Sequence, residues 1–302
     1  MAQSEPILTD DDRAVWGAWM RAAAEHARTQ AFARKVERAR VAVIEACEWV
    51  ARHPVPGRTA PPGASASSGK DSTVMLHLIA ELAGCKHVVA VTQQDDLDYP
   101  GEHEFAAERA ARLGIAQHLI VPTISAREWI AEAARRGEIM SFDDAHTRAA
   151  GLSEQTFYPL MERDNLTRGL AFLGLRREES RNRDRVAGWA IREAWRRRED
   201  GEDGPNSGLT RWHKGSGHWR CYPVAEFRGI DVYAYAARYD VPLLPVYQCV
   251  GLMHRDDPSR IRVAWWLPAG HTADGQVAWL RRYYPSLYRQ LLAWMPDARM
   301  YG

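Results

Sequence analysis

Ser67-Ser68-Gly69-Lys70-Asp71-Ser72 stands between a short apolar run, residues 64–67, and a segment of helical period. In that segment Met75, Leu78, Ile79 and Leu82 fall at i, i+3, i+4 and i+7, and Gly84 supplies the stop. A strand that ends in small residues just before a helix is a place for an anion. The helix N-terminus offers unpaired N–H groups and a partial positive charge. Small residues let the anion approach the backbone, Lys70 adds charge, and the hydroxyls of Ser67 and Ser72 add donors. The hexapeptide reads as a loop that holds a polyphosphate or a sulfate. It is not the classical P-loop, which needs GxxxxGK followed by Ser or Thr. Gly63 lies one residue too far from Gly69, and Asp71 follows the lysine.

Outward from this loop, short apolar runs alternate with helical periods. Residues 87–92, 118–121 and 170–173 read as strands, and 102–113, 126–136 and 178–198 as helices, with Gly114 closing the first of these helices. Such alternation predicts an α/β fold: a doubly wound, mostly parallel sheet with helices on both faces and right-handed crossovers. Helical extensions flank it. Residues 10–52 carry Trp16, Trp19, Met20, Ala23, Val36, Val43, Ile44, Cys47 and Val50 at helical spacing, and a Pro/Gly-rich linker follows over 53–63. Residues 199–217 are polar and rich in Gly and Asp and read as a loop, with Arg196-Arg197-Arg198 before it as a solvated helix end. Residues 230–239 and 275–294 read as helices whose aromatics are core. The expected organisation is a helical segment over 1–55, an α/β core over 56–200, and a loop and aromatic-rich helical region over 201–302 that completes the site.

Composition excludes several classes. Hydrophobic residues at 46% and charged residues at 26% fit a globular chain and rule out disorder as the main state. No apolar run reaches the roughly 18 residues of a membrane span. The polar, acidic start MAQSEPILTDDD lacks the pattern of a signal peptide. Cys47, Cys85, Cys221 and Cys249 are scattered and form no CxxC, so a disulfide framework is not expected and the cytoplasm is the default compartment. A net charge of +1 does not favour direct nucleic-acid binding by the protein as a whole.

Three further segments carry chemistry. Leu173-Gly174-Leu175-Arg176-Arg177-Glu178-Glu179-Ser180-Arg181 follows a strand, which delivers Arg176 to the sheet edge where the loop lies. Arginine suits bidentate phosphate or sulfate recognition. Tyr222-Pro223-Val224 runs on through Ile230-Asp231-Val232-Tyr233-Ala234-Tyr235 to Val241-Pro242-Leu243-Leu244-Pro245-Val246-Tyr247. Residues 92–102 read TQQDDLDYPGE, which places Asp95 and Asp96 as candidates for a Mg²⁺ that accompanies a polyphosphate.

Together these segments, over roughly residues 60–250, resemble the phosphoadenosine phosphosulfate (PAPS) reductase and N-type ATP pyrophosphatase superfamily, also called adenine nucleotide alpha hydrolase-like. The loop is similar to the SGGKDS loop of the pyrophosphatases, with Ser68 for the first glycine. The second segment is similar to GxRxxES, and the third to PL…W…DVWxYI…IPxxPLY. The fourth fits an E-x-P-E-T-like turn at Asp98, Pro100 and Glu102, with Gln94 where the family has an acid. The resemblance implies an enzyme that binds ATP, or PAPS, with Mg²⁺ and acts near the α-phosphate. It implies a catalytic set of Lys70, Asp71, Arg176 and Glu179. It implies nucleotide contacts from Ser67, Ser68, Gly69, Ser72, Asp95, Asp96, Arg181 and Tyr247, and Mg²⁺ on Asp71 and Asp95.

ATP cleavage between the α and β phosphates, with adenylation of an acceptor in sulfur transfer or sulfur metabolism, is the reading the loop favours. A sulfonucleotide reductase is the alternative. Its catalytic cysteine belongs in a C-terminal ECGxH-like motif that residues 295–302 lack, leaving Cys249 or Cys221. A nucleotide-binding subunit that has lost catalysis, within a larger complex such as a DNA-modification system, is the third reading. An iron–sulfur cluster is not expected on four scattered cysteines. His213, His218, Cys221, Cys249 and His254 are candidate zinc ligands at no standard spacing. The acceptor, and a protein partner or second copy, are left open.

Overall fold

The computed structural model describes residues 5–94, 96, 98–138, 141, 157–201, 203–251, 254–261 and 275–302. Six strands build one sheet: β1 (Gly63–Ser65), β2 (Val89–Gln93), β3 (Gln117–Ile120), β4 (Leu170–Phe172), β5 (Thr210–His213) and β6 (His218–Cys221). Their order is β3-β2-β1-β4-β6-β5. Every pairing is parallel except β5 with β6. All three residues of β4 and the middle three of β2 are buried. Runs buried on both faces are what a parallel sheet covered by helices requires. The architecture is the doubly wound α/β fold with N- and C-terminal helices. No helix among the described residues is long and apolar enough to cross a membrane.

β1 is shorter and earlier than the apolar run suggests. The ladder still continues one step, since the Ala66 N–H donates to Val91 O at 2.8 Å. Arg168 crosses beneath β1, buried, donating to both Asp164 carboxylate oxygens at 2.8 and 3.0 Å and to Pro61 O at 2.6 Å. A Cβ on Gly63 would come within 2.7 Å of the Arg168 side chain, so only glycine fits there.

The helical stretch 10–52 is two helices, α1 (Asp10–His26) and α2 (Gln30–Arg52). Thr29 makes the break, because its hydroxyl accepts the Phe32 N–H at 3.2 Å and starts α2 afresh. α2 buries Phe32, Val36, Ala39, Val43 and Ala46 and packs toward β4 and β6. α3 (Lys70–His77) begins five residues before the first apolar position of the period, Met75, and ends in a π-turn over Leu78–Leu82. α4 (Glu102–Leu113) ends at Gly114, whose φ of 63° is the left-handed C-cap. α5 (Ala126–Arg135) and α6 (Phe157–Asn165) follow, the latter packing toward β3, before the chain returns to β4.

Residues 199–217 are not simply a loop: they contain β5 and lead into a hairpin with β6. Trp212 and Trp219 face each other across it, edge to face, at 5.5 Å. The helix before it, α7 (Arg181–Asp200), is not wholly solvated at its end. Arg197 is buried and donates to Glu193 at 2.8 Å and to Pro205 O at 2.9 Å. α8 (Gly229–Tyr239) follows. The stretch 275–294 is α9 (Gln276–Tyr283) and α10 (Pro285–Trp294), divided because Pro285 cannot extend α9. Tyr247, Trp279, Tyr283, Tyr284 and Leu287 form a second apolar cluster with Tyr99 and Ile130.

One carboxylate fastens the N-terminal helices to the core. Asp231 is fully buried in the first turn of α8. It accepts from Lys35 Nζ at 2.6 Å, from the Arg228 N–H at 2.6 Å, and bonds His26 Nε2 at 2.7 Å. Burial pushes this carboxyl up, but the Lys35, Arg228 and His26 hydrogen bonds outweigh it and hold it below the ordinary 3.8. A depressed carboxyl contributes stability above its unfolded value and loses it as pH falls. Asp231→Ala is expected to cost about 2–4 kcal/mol in urea unfolding at neutral pH. The deficit should shrink below about pH 4, where the wild-type protein also loses the contribution.

Candidate active site

The chain order reverses between β1 and β4. From β1 the sheet grows through β2 and β3 on one side, and from β4 through β6 and β5 on the other. Ligands of open α/β sheets bind beyond the carboxyl ends of the strands at such a switch point. Here the SSGKDS loop leaves β1 and the LGLRREES segment leaves β4. Between them lies a cavity of about 210 Å³, lined by residues that include Ser67, Gly69, Lys70, Asp71, Ser72, Glu179, Arg183 and Tyr247.

Gly174 lets the two segments meet. A Cβ there would stand 3.3 Å from both N and Cα of Ser72, in backbone that cannot swing aside. The loop is tied internally. Ser72 Oγ donates to Ser67 O, lies 2.9 Å from Gly69 O and sits 3.1 Å from Ser67 Oγ. Ser68 turns away from the cavity; it is buried and its hydroxyl donates to Glu102 O at 3.3 Å. No side chain caps α3, so its first N–H groups face the loop. The Tyr247 hydroxyl accepts one of them, from Lys70 N, at 2.7 Å.

The charged groups are closely packed. The Lys70 ammonium lies 5.4 Å from the centre of the Tyr247 ring and 3.5 Å from Asp71 Oδ2. Asp71 Oδ1 lies 2.7 Å from Arg176 Nε, at an angle that makes no hydrogen bond, so both atoms are buried without a hydrogen-bond partner. The rest of the Arg176 guanidinium is taken up by Glu178 and by Glu179, the latter at 3.7 Å. Glu179 also pairs with Arg183. The residues thus sort differently from the sequence reading. Lys70, Asp71 and Glu179 line the cavity, while Arg176 stands behind Asp71, enclosed by three carboxylates and away from the lining. Arg183 supplies the arginine that reaches the cavity.

Of the other expected residues, Arg181 is exposed at the start of α7 and outside the lining. Asp96 is exposed and paired with Arg127 at 3.7 Å. Asp95 lies outside the described residues. Among the described residues no group of three or more His, Cys, Asp and Glu could hold a metal by itself. Asp71 lines the cavity and its Oδ1 makes no hydrogen bond, which fits a divalent cation whose remaining ligands are phosphate oxygens and waters, the usual arrangement for Mg²⁺. His213 Nδ1 bonds Ser216 Oγ at 2.6 Å, and His218 Nε2 accepts from Arg220 at 3.2 Å. Burial and the nearby Arg220 charge push His218 down to about 4. Cys221 and Cys249 are buried outside the cavity. Burial pushes the Cys221 thiol up to about 12 and raises Cys249 as well.

One residue of the site is absent from the motifs. Arg109, on the buried stripe of α4, reaches under the loop. It donates to Thr73 Oγ1 at 2.7 Å, Ser67 O at 3.3 Å and Ala66 O at 3.4 Å. Burial lowers its pKa to about 10. The sign in the sequence is an arginine among Ala106, Ala110 and Leu113 on an otherwise apolar helix face. Beside it Glu102 accepts from the Tyr99 N–H at 3.3 Å. Burial, then the Asp98 charge, raises the Glu102 carboxyl to about 8.

The phosphoadenosine phosphosulfate reductase domain model matches residues 62–251. Among solved structures, the PAPS reductase of Candida auris is similar at 16% identity over 66% of this chain and 82% of that one, with a TM-score of 0.42. The NMN synthetase of Francisella tularensis stands at 14% identity, 69% and 71% coverage, and a TM-score of 0.40. The U34-tRNA thiolase of Methanococcus maripaludis, which carries a [4Fe-4S] cluster, stands at 14%, 69% and 65%, and 0.40. No curated protein matches the chain.

Two substitutions probe this geometry. Gly174→Ala is expected to cost about 1–3 kcal/mol in urea unfolding, since its methyl meets backbone. Glu102 titrates with a raised pKa, so its contribution is full below the ordinary 4.5 and is lost as pH rises through about 8. Glu102→Gln should remove that decline, measured as unfolding free energy against pH.

Proposed function

The chain belongs to the phosphoadenosine phosphosulfate reductase domain family, and from that membership and the site we propose that it binds ATP and cleaves it between the α and β phosphates. The observation that carries the reading is the cavity at the switch point. It joins the N-terminus of α3, the Lys70 ammonium, the Arg183 guanidinium and the Asp71 carboxylate. Its 210 Å³ falls below the roughly 300–1,000 Å³ of pockets that enclose a whole small molecule. It suits the phosphate portion of a nucleotide, with ribose and base beyond it.

In the proposed reaction an acceptor oxyanion attacks the α-phosphorus. The bond from that phosphorus to the bridging oxygen breaks, and pyrophosphate departs with the electron pair, leaving an adenylated acceptor. Lys70 and the loop N–H groups hold the β and γ phosphates, and Arg183 faces them from the β4 side. Arg176 keeps Asp71 directed at the cavity. Asp71 would hold a Mg²⁺ together with the phosphates, and the ion would supply charge neutralisation for the leaving group. Catalysis of this kind is positioning plus electrostatics. The setting is sulfur transfer or sulfur metabolism.

A reductase mechanism needs a thiolate at the substrate. Cys221 and Cys249 are buried, have raised pKa values and do not line the cavity, which supports the ATP reading over the reductase. A catalytically silent subunit would bind nucleotide without releasing pyrophosphate.

The test is calorimetric titration with Mg²⁺-ATP and with PAPS side by side, together with a pyrophosphate-release assay across candidate acceptors. ATP is expected to bind. Lys70→Ala is expected to lower turnover about a hundredfold or more without changing the unfolding midpoint. Cys249→Ser and Cys221→Ser should leave turnover intact. Binding of PAPS alone, or wild-type turnover by Lys70→Ala, overturns the reading.

A further inference from the structure

α7 presents an outward face that nothing in the nucleotide site uses. Arg181, Arg185, Trp189 and Arg192 follow one another at intervals of four, four and three residues, which puts them on one side of a helix. Two large aromatics lie in the open on this helix: Trp189 is 45% exposed and Trp195 is 61% exposed. Arg211, from the edge strand β5, lies over the Trp189 ring with its guanidinium 5.4 Å from the ring centre.

Three of the four acids of α7 are paired off, and the fourth, Glu199, stands at the exposed far end of the helix. Asp184 pairs with Arg177 at 2.7 Å, Glu193 with buried Arg197 at 2.8 Å, and Asp200 with Arg196 at 3.3 Å near the far end. Arg181, Arg185 and Arg192 make no ion pair or hydrogen bond among the described residues. The overall charge of +1 conceals this local excess, because acids elsewhere cancel it. Free arginines beside exposed indoles complement a chain of phosphates that carries accessible flat groups. A single-stranded nucleic acid has both. A duplex hides its base faces, and an acidic peptide would satisfy the arginines and leave the indoles idle.

The position is continuous with the cavity. Glu179, in the turn just before this helix, and Arg183, in its first turn, line it. From Arg181 to Arg192 the face spans about 17 Å at roughly 1.5 Å per residue. We propose that this face docks single-stranded nucleic acid, with phosphates on Arg181, Arg185 and Arg192 and unpaired bases stacked on Trp189 and Trp195. The inference is independent of ATP cleavage at the cavity.

The experiment is fluorescence anisotropy of an end-labelled, mixed-sequence single strand of about twelve nucleotides with the full chain. Binding is expected to weaken about twentyfold between about 50 and 200 mM salt, as three phosphate contacts imply for a single strand. Arg185→Ala with Arg192→Ala should reduce that salt effect to about threefold. Trp189→Ala and Trp195→Ala should each weaken binding about tenfold and leave pyrophosphate release unchanged. Lys70→Ala should retain strand binding, whether or not ATP proves to be the nucleotide. The proposal is overturned if no strand binds at low salt, if the arginine and tryptophan variants bind as the wild type does, or if duplex or polyglutamate competes as well as single strand. Loss of strand binding in Lys70→Ala would also overturn it, by seating the strand in the cavity.

Discussion

The turn from β1 into α3 depends on a buried arginine. At the end of β1 the chain leaves the ladder, and the carbonyls of Ala66 and Ser67 have no strand to bond. Buried carbonyls without partners cost free energy of the order of a lost hydrogen bond. Arg109 supplies N–H groups to both and to Thr73, from the neighbouring helix α4. Ser72 adds a second tie to Ser67 O. With its carbonyls held inward, the loop leaves the α3 N–H groups and Lys70 for the cavity. The loop is therefore fixed by the fold itself, which is the condition the proposed anion site needs for electrostatic stabilisation without rearrangement.

A second constraint orders the charges. Arg176 stands among Asp71, Glu178 and Glu179, and Glu179 passes charge outward to Arg183. In a tightly packed chain of alternating signs each member fixes the next. An arginine enclosed in this way acts on a ligand through Asp71, whereas Arg183, half exposed, can meet it directly.

The sheet, its helices and the two motif segments were legible because each is local. Apolar period marked the strands, and the fold brings the SSGKDS and LGLRREES stretches together, with Lys70, Asp71, Glu179 and Tyr247 around one cavity. What escaped depends on facing. Arg181 and Arg183 are equally good arginines in sequence, and helical rotation alone sends one to solvent and the other to the cavity. Arg109 lay outside every motif because its work is to hold the loop from behind. The β5–β6 hairpin was hidden since each strand is four residues long and rich in Arg, His and Trp, with no clear alternation. Thr29 looks like any threonine until its hydroxyl is seen to cap α2.

The Asp231 contacts bear on what counts as an autonomous piece of this protein. The family segment, residues 62–251, contains Asp231 but neither Lys35 nor His26. Excised on its own, it would keep a carboxylate set in the wall of α8 with its charged partners gone, and would bare the apolar ground that α2 covers on β4 and β6. The part that relatives share is thus not a unit that this chain could shed its ends from. The N-terminal helices are part of the foundation on which the shared segment stands, because they hold the partners of its buried carboxylate.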